Sequence, residues 1–95
     1  MRDYELMTIH RPDLAETDVE TKIGELEAYL SGHAAQVTKR DIWGKRRFAY
    51  EIDHLSEGYY TVVTFQAEAD AVKSVDRMLS LTDEVLRHKI VRLGD

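Results

Sequence analysis

Few side chains in this sequence could carry out proton or covalent chemistry, and none stands at a productive spacing. Ser31, Ser56, Ser74 and Ser80 fall at a helix end, in a turn or on a helix, and none occupies a strand-to-helix nucleophile elbow. His10, His33, His54 and His88 match no metal-ligand spacing. The first three lie at expected turns or strand ends and read as solvated. His88 alternates with apolar neighbours and reads as a hydrogen-bonded residue at the edge of the core. The absence of cysteine removes thiolate nucleophiles, disulfides and zinc-thiolate clusters, and is compatible with a reducing compartment. The five glycines are scattered, so no phosphate-cradling loop forms. Glu25 with Glu27, and Asp83 with Glu84, read as solvated faces and capping groups. No catalytic residue, metal, cofactor or small-molecule substrate is expected.

Binding chemistry concentrates instead in one stretch, Trp43-Gly44-Lys45-Arg46-Arg47-Phe48-Ala49-Tyr50-Glu51-Ile52. Three adjacent cations are flanked by aromatic residues and followed by an alternating apolar tail. The chain carries a net charge of −5, yet five of its 13 Lys and Arg lie between Lys39 and Arg47. The overall charge argues against broad affinity for nucleic acid but not against a local basic site. Two readings of the stretch stay open on physical grounds. The cations could blunt an exposed sheet edge, or they could contact phosphates while Trp43 and Tyr50 stack or pack against a partner. Arg87, Lys89 and Arg92 form a second cationic segment near the C-terminus.

The elements that must position these residues are legible from periodicity. Ninety-five residues with 43% hydrophobic content suggest a single domain over 1–95. No apolar run approaches the ~20 residues of a membrane span, and the first residues lack a signal-peptide apolar region. Residues 3–9 read as a strand with Tyr4, Leu6 and Thr8 on one face and Glu5, Met7 and Ile9 on the other. Pro12 then enforces a turn. Val19, Ile23, Leu26 and Leu30 form one stripe of a helix over about 16–31, with Thr17 and Glu20 as a capping box and Gly32 as a left-handed cap. Residues 35–52 read as extended, with a bulge or bend at Gly44. After a polar turn at 53–58, Tyr59 to Ala67 is a strand. A helix opens at Glu68-Ala69-Asp70, with Val72, Val75 and Leu79 as its stripe and Met78 beside it. Val85 to Arg92 is the last strand.

The order β-α-β-β-α-β predicts an α+β, ferredoxin-like fold: a four-stranded antiparallel sheet with two helices on one face. The open face would carry Met7, Ile9, Tyr60, Val62, Arg87 and Lys89. A face that mixes apolar and cationic residues suggests a partner.

At the basic stretch the sequence resembles the bacterial small-subunit ribosomal protein S6 family. Gly44-Lys45-Arg46-Arg47-Phe48-Ala49-Tyr50-Glu51-Ile52 is similar to that family's Gly-x-Arg-x-Leu-Ala-Tyr-x-Ile, with Phe48 in place of Leu. Arg2-x-Tyr4-Glu5, Gly58-Tyr59 and Val85-Leu86-Arg87 match as well, so the resemblance covers essentially the whole chain. It implies a non-enzymatic, cytoplasmic component of the small ribosomal subunit that pairs with ribosomal protein S18 and binds the central domain of 16S ribosomal RNA. It also implies an acidic scaffold whose basic partner carries much of the phosphate neutralisation. The sequence ends at Asp95 without the long acidic tail of some relatives, so tail-dependent contacts are not expected. On this reading Arg2, Lys45, Arg46, Arg47, Arg87, Lys89 and Arg92 contact phosphate. Trp43, Tyr50 and Tyr60 stack on bases or pack against the protein partner. The alternative is a ferredoxin-like protein-binding module without an RNA role. An acylphosphatase-type hydrolase is disfavoured, because His10-Arg11-Pro12-Asp13 lacks the glycines of an anion cradle.

Overall fold

The computed structural model describes residues 1–94. Its order is β1 (Arg2–His10), α1 (Glu16–Gly32), β2 (Gln36–Ile52), β3 (Leu55–Ala67), α2 (Ala69–Ser80) and β4 (Val85–Arg92). The strands form one antiparallel sheet in the order β2-β3-β1-β4, with two helices on one face. This is the ferredoxin-like arrangement anticipated from the element order.

Alternation along the two central strands creates the two faces. Tyr4, Leu6 and Thr8 of β1 stand opposite Phe65, Val63 and Thr61 of β3. These side chains meet Ile23, Leu26 and Leu30 of α1 and Ala71, Val75 and Leu79 of α2 in one buried cluster, joined by the two threonines at its end. Tyr4 stacks on Phe65 with ring centroids 5.7 Å apart. Burying a side chain such as Leu6 or Phe65 contributes about 1.5–3 kcal/mol, so this layer carries most of the stability. The helix stripe Val19, Ile23, Leu26 and Leu30 is buried as its spacing predicts.

Four local features differ from the sequence expectation, each for a physical reason. The first helix is capped at Ala15, whose N–H is accepted by the Asp18 carboxylate at 3.3 Å, and not by Thr17 and Glu20. Its C-terminal reversal uses Ala34, at φ 61°, in place of Gly32. The bonds Ala35 N–H to Leu30 C=O (2.9 Å) and Ala34 N–H to Ser31 C=O (3.2 Å) make this a Schellman ending. The turn after β2 is only Asp53-His54, both at positive φ, so β3 begins at Leu55 and not at Tyr59. Two consecutive left-handed residues give a hairpin twist that suits the flanking strands.

The fourth difference is His10, which is 3% exposed and not solvated. β1 extends one residue beyond the expected strand, and this turns the ring inward. Its Nε2 lies 3.1 Å from the Thr8 hydroxyl, which itself meets the Thr61 hydroxyl. Nδ1 has no hydrogen-bond partner. Burial pushes the imidazole below its usual pKa of 6.5, and nearby Glu84 only partly opposes this.

Candidate nucleic-acid interface

The uncovered face of the sheet collects many of the singled-out residues. Register places them in rows across the strands. Gly44, Tyr60, Ile9 and Arg87 form one row, and Asp41, Val62, Met7 and Lys89 the next. With strands ~4.8 Å apart, the cationic β2 and β4 edges lie roughly 14 Å from each other, separated by an apolar centre. Ile9 and Val62 in that centre are nearly shielded from solvent although no helix covers them.

The shielding comes from the β2–β3 hairpin. Gly44, at φ 90°, sits at the register shift after Ile42, where β2 accommodates an extra residue. The bulge sets Trp43 beside Tyr60, with centroids 6.1 Å apart and planes 4° from parallel. The indole N–H donates to the Asp41 carboxylate at 3.2 Å, which fixes the orientation of the ring. Phe48 tilts onto the same Tyr60 at 6.1 Å. Gly58 makes this closure possible. A Cβ there would stand 2.7 Å from the His10 carbonyl oxygen, 2.9 Å from Ile9 Cγ2 and 3.0 Å from Phe48 Cζ.

Trp43, Tyr60, Arg46 and Arg47 line one shallow cleft. Neither arginine has a carboxylate partner among the described residues, and the same holds for Arg87 and Lys89. An exposed guanidinium without an internal partner keeps its full charge available to a bound polyanion.

The structure separates other members of the expected set. Lys45 lies between Gly44 and Arg46 and faces the opposite side, its Nζ 5.1 Å from the centre of the Tyr59 ring. Arg2 and Arg92 alternate with the open-face residues and stand at the far end of the sheet, opposite Ala67 and Tyr4. Tyr50 is 69% exposed near the hairpin tip, away from the Trp43–Tyr60 pair. Trp43, Tyr60, Arg46, Arg87 and Lys89 thus share the open face, and Arg47, in register across the strand with Glu57, reaches the same cleft from the next register position, whereas Lys45, Arg2, Arg92 and Tyr50 do not.

Arg40 is removed from the basic cluster by pairing. It faces α1, where its Nε donates to Glu27 Oε2 at 3.1 Å and a second nitrogen meets Oε1. That hydrogen bond raises its already high pKa. At the corner between the helices, Lys22 pairs with Glu84 at 3.0 Å, raising the lysine pKa and lowering that of the carboxylate. The pair stands at a cavity of about 300 Å³ that Leu26, Tyr29, Met78 and Val85 help to line. His88, as expected for a residue at the core's edge, is bonded to Asp76 at 2.7 Å. No group of three or more metal-ligating side chains occurs among the described residues, and no helix is long and apolar enough to cross a membrane.

Asp41 is the residue that sequence reasoning missed. An acid inside a basic segment reads as a solvated charge. Its two-residue spacing from Trp43 on one strand face was the available signal.

Comparison with known proteins agrees with the fold. Residues 3–92 match the family model described as Ribosomal protein S6. Small ribosomal subunit protein bS6 of Carboxydothermus hydrogenoformans is 44% identical over 92 residues, covering 97% of this chain and 96% of that protein. The protein of the same name from Desulforamulus reducens is 40% identical over 95 residues, covering both chains fully. The crystal structure of 30S ribosomal protein S6 from Thermotoga maritima superimposes with a TM-score of 0.91 at 28% identity, covering 97% of this chain and 87% of that one. With a family match over nearly its whole length, relatives above 40% identity and a shared fold, the chain belongs to the ribosomal protein S6 family.

Proposed function

We propose that this protein is a non-enzymatic structural component of the small ribosomal subunit in the cytoplasm, and that it binds the central domain of 16S ribosomal RNA together with ribosomal protein S18. The observation that carries the reading is the open sheet face, where Arg46, Arg47, Arg87 and Lys89, without carboxylate partners among the described residues, flank an aromatic and apolar centre. Phosphate contacts supply affinity and register for a bound RNA. The apolar centre offers a protein partner a dry seat beside them.

The distribution of charge favours a one-sided interface. Glu16, Asp18, Glu20, Glu25 and Glu27 lie on α1, and Asp70 and Asp76 on α2. An RNA approaching α1 meets acids that only Lys22 offsets, whereas one approaching the sheet beside Arg46 and Arg47 or Arg87 and Lys89 meets cations; α2 is balanced by Lys73 and Arg77. This polarity reconciles the net charge of −5 with RNA binding. Arg46, Arg47, Arg87 and Lys89 are the principal phosphate contacts in this proposal. Arg2, Lys45 and Arg92 lie off the open face and serve as peripheral contacts. Trp43 and Tyr60 provide the stacking or partner surface, with Tyr50 at its margin.

The test is the affinity for central-domain ribosomal RNA with and without S18 at two salt concentrations. Binding that requires the partner and weakens with salt supports the reading, because each neutralised phosphate releases counterions. Binding of S18 alone, with no RNA affinity in any combination, would identify a protein-binding module without an RNA role. Half-buried Met7 and Tyr60 on the open face would suit that second reading.

A further inference from the structure

We infer that the Trp43–Tyr60 cleft is a platform for one unstacked RNA base, with the adjoining phosphate held by Arg46 and Arg47. The inference rests on the RNA-binding reading and assigns a ligand to one part of that surface. The two ring planes lie 4° from parallel, with centroids 6.1 Å apart. The four residues that line the cleft are two aromatics and two arginines. Neither arginine is consumed by an ion pair among the described residues. Asp41 is occupied by the indole N–H, and Glu57, across the strand from Arg47, makes no ion pair with it. Trp43 remains 42% exposed despite that bond, so its ring is accessible.

A flat aromatic surface beside two guanidinium groups matches the combined chemistry of a nucleotide: a π-face and an adjacent anion. An aliphatic segment of a protein partner would find its complement further along the same face, at half-buried Met7. Positive charge on a basic partner would be repelled at the cleft. A base within an A-form duplex has its faces covered by its neighbours, so the nucleotide must lie in a loop, bulge or single-stranded junction. Asp41 acts as a positioning residue, since it holds the indole against rotation without touching the base.

Trp43 is the sole tryptophan, so it reports on its own cleft. The experiment uses the full chain, a tryptophan-free S18 and the central-domain RNA, following Trp43 emission and RNA affinity. Emission should be quenched when RNA is added and not when S18 alone is added. Trp43→Leu should weaken RNA binding about 5- to 150-fold, the loss associated with one base stack, and Trp43→Phe should restore most of it. Asp41→Asn should retain more affinity than Asp41→Leu. An emission shift with S18 alone and no further change with RNA would place a protein side chain in the cleft and overturn the inference. Parental RNA affinity in Trp43→Leu, with loss in Arg46→Glu/Arg47→Glu, would overturn the base platform and leave the RNA-binding reading standing. Failure of the parent chain to bind RNA with S18 would remove both.

Discussion

The same two strands, β1 and β3, present two faces with opposite treatment of polar groups. Under the helices, Tyr4, Leu6, Val63 and Phe65 are sealed from water, and polar side chains there find internal partners, Thr8 with Thr61, Arg40 with Glu27 and His88 with Asp76, while His10 Nδ1 stays without one. On the other face Arg46, Arg47, Arg87 and Lys89 have no such partners among the described residues, and Trp43 is left half exposed. Internal pairing serves the fold, whereas charge left without an internal partner beside exposed aromatics is what the proposed association uses. The contrast predicts that substitutions on one face change stability and those on the other change binding.

The largest stability effect is expected beneath the helices. Phe65→Ala should lower unfolding free energy by about 3–5 kcal/mol, since it removes a fully buried ring from a close-packed site. Trp43→Ala should cost far less on the same denaturant titration. Comparable losses for the two would break the division between the faces.

Gly58→Ala sits at the junction of the two regions. The added Cβ must displace the His10 carbonyl, a backbone group, as well as Ile9 and Phe48. A loss of about 1–3 kcal/mol is expected, as for other overpacked sites. Because Phe48 must also move from Tyr60, a shift in Trp43 emission should accompany the loss.

The pH dependence distinguishes the buried histidine from the paired carboxylate. His10 titrates below 6.5 in the folded protein, so above 6.5 it is neutral in both states and stability is complete. As pH falls from 6.5 toward the lower folded value, the unfolded chain takes up a proton that the folded chain does not, and stability declines. The depressed Glu84 carboxyl acts in the same direction but only below about 4.5. Denaturation midpoints followed from pH 8 downward should therefore begin to fall near 6.5, and His10→Gln should flatten that first step.

The smallest effect is expected at Arg40. Its bond to Glu27 is partly exposed, and such pairs contribute roughly 0–1 kcal/mol. Arg40→Met should leave both the melting transition and RNA affinity close to the parent values. A large loss of affinity would return Arg40 to the binding surface.

The sequence revealed the architecture because both periodicities are strong. Val19, Ile23, Leu26 and Leu30 repeat at helical steps, and Tyr59, Thr61, Val63 and Phe65 alternate through the central strand. The site was only partly legible. Strict alternation cannot be extended through Gly44, where the bulge inserts a residue and resets which side chains face outward. Three consecutive cations therefore looked equivalent, although Lys45 turns to Tyr59 and Arg46 faces the cleft. The left-handed Ala34 was hidden because nearby Gly32 is the residue that ordinarily takes that conformation. His10 was hidden because its burial depends on long-range pairing of β1 with β3, and a proline two residues later makes the segment look like a turn.

The central claim is that binding belongs to the open face, and a charge-matched comparison tests it most directly. One variant carries Arg87→Glu and Lys89→Glu on the open sheet, and the other Lys73→Glu and Arg77→Glu on the exposed side of α2. Each has the same net charge, so long-range repulsion of RNA changes equally. With folding verified by thermal melts and S18 present, affinity for central-domain RNA is measured at low and moderate salt. The sheet variant should lose at least about tenfold more affinity than the helix variant and show a shallower salt dependence. Equal losses, or a greater loss from the helix variant, would contradict it.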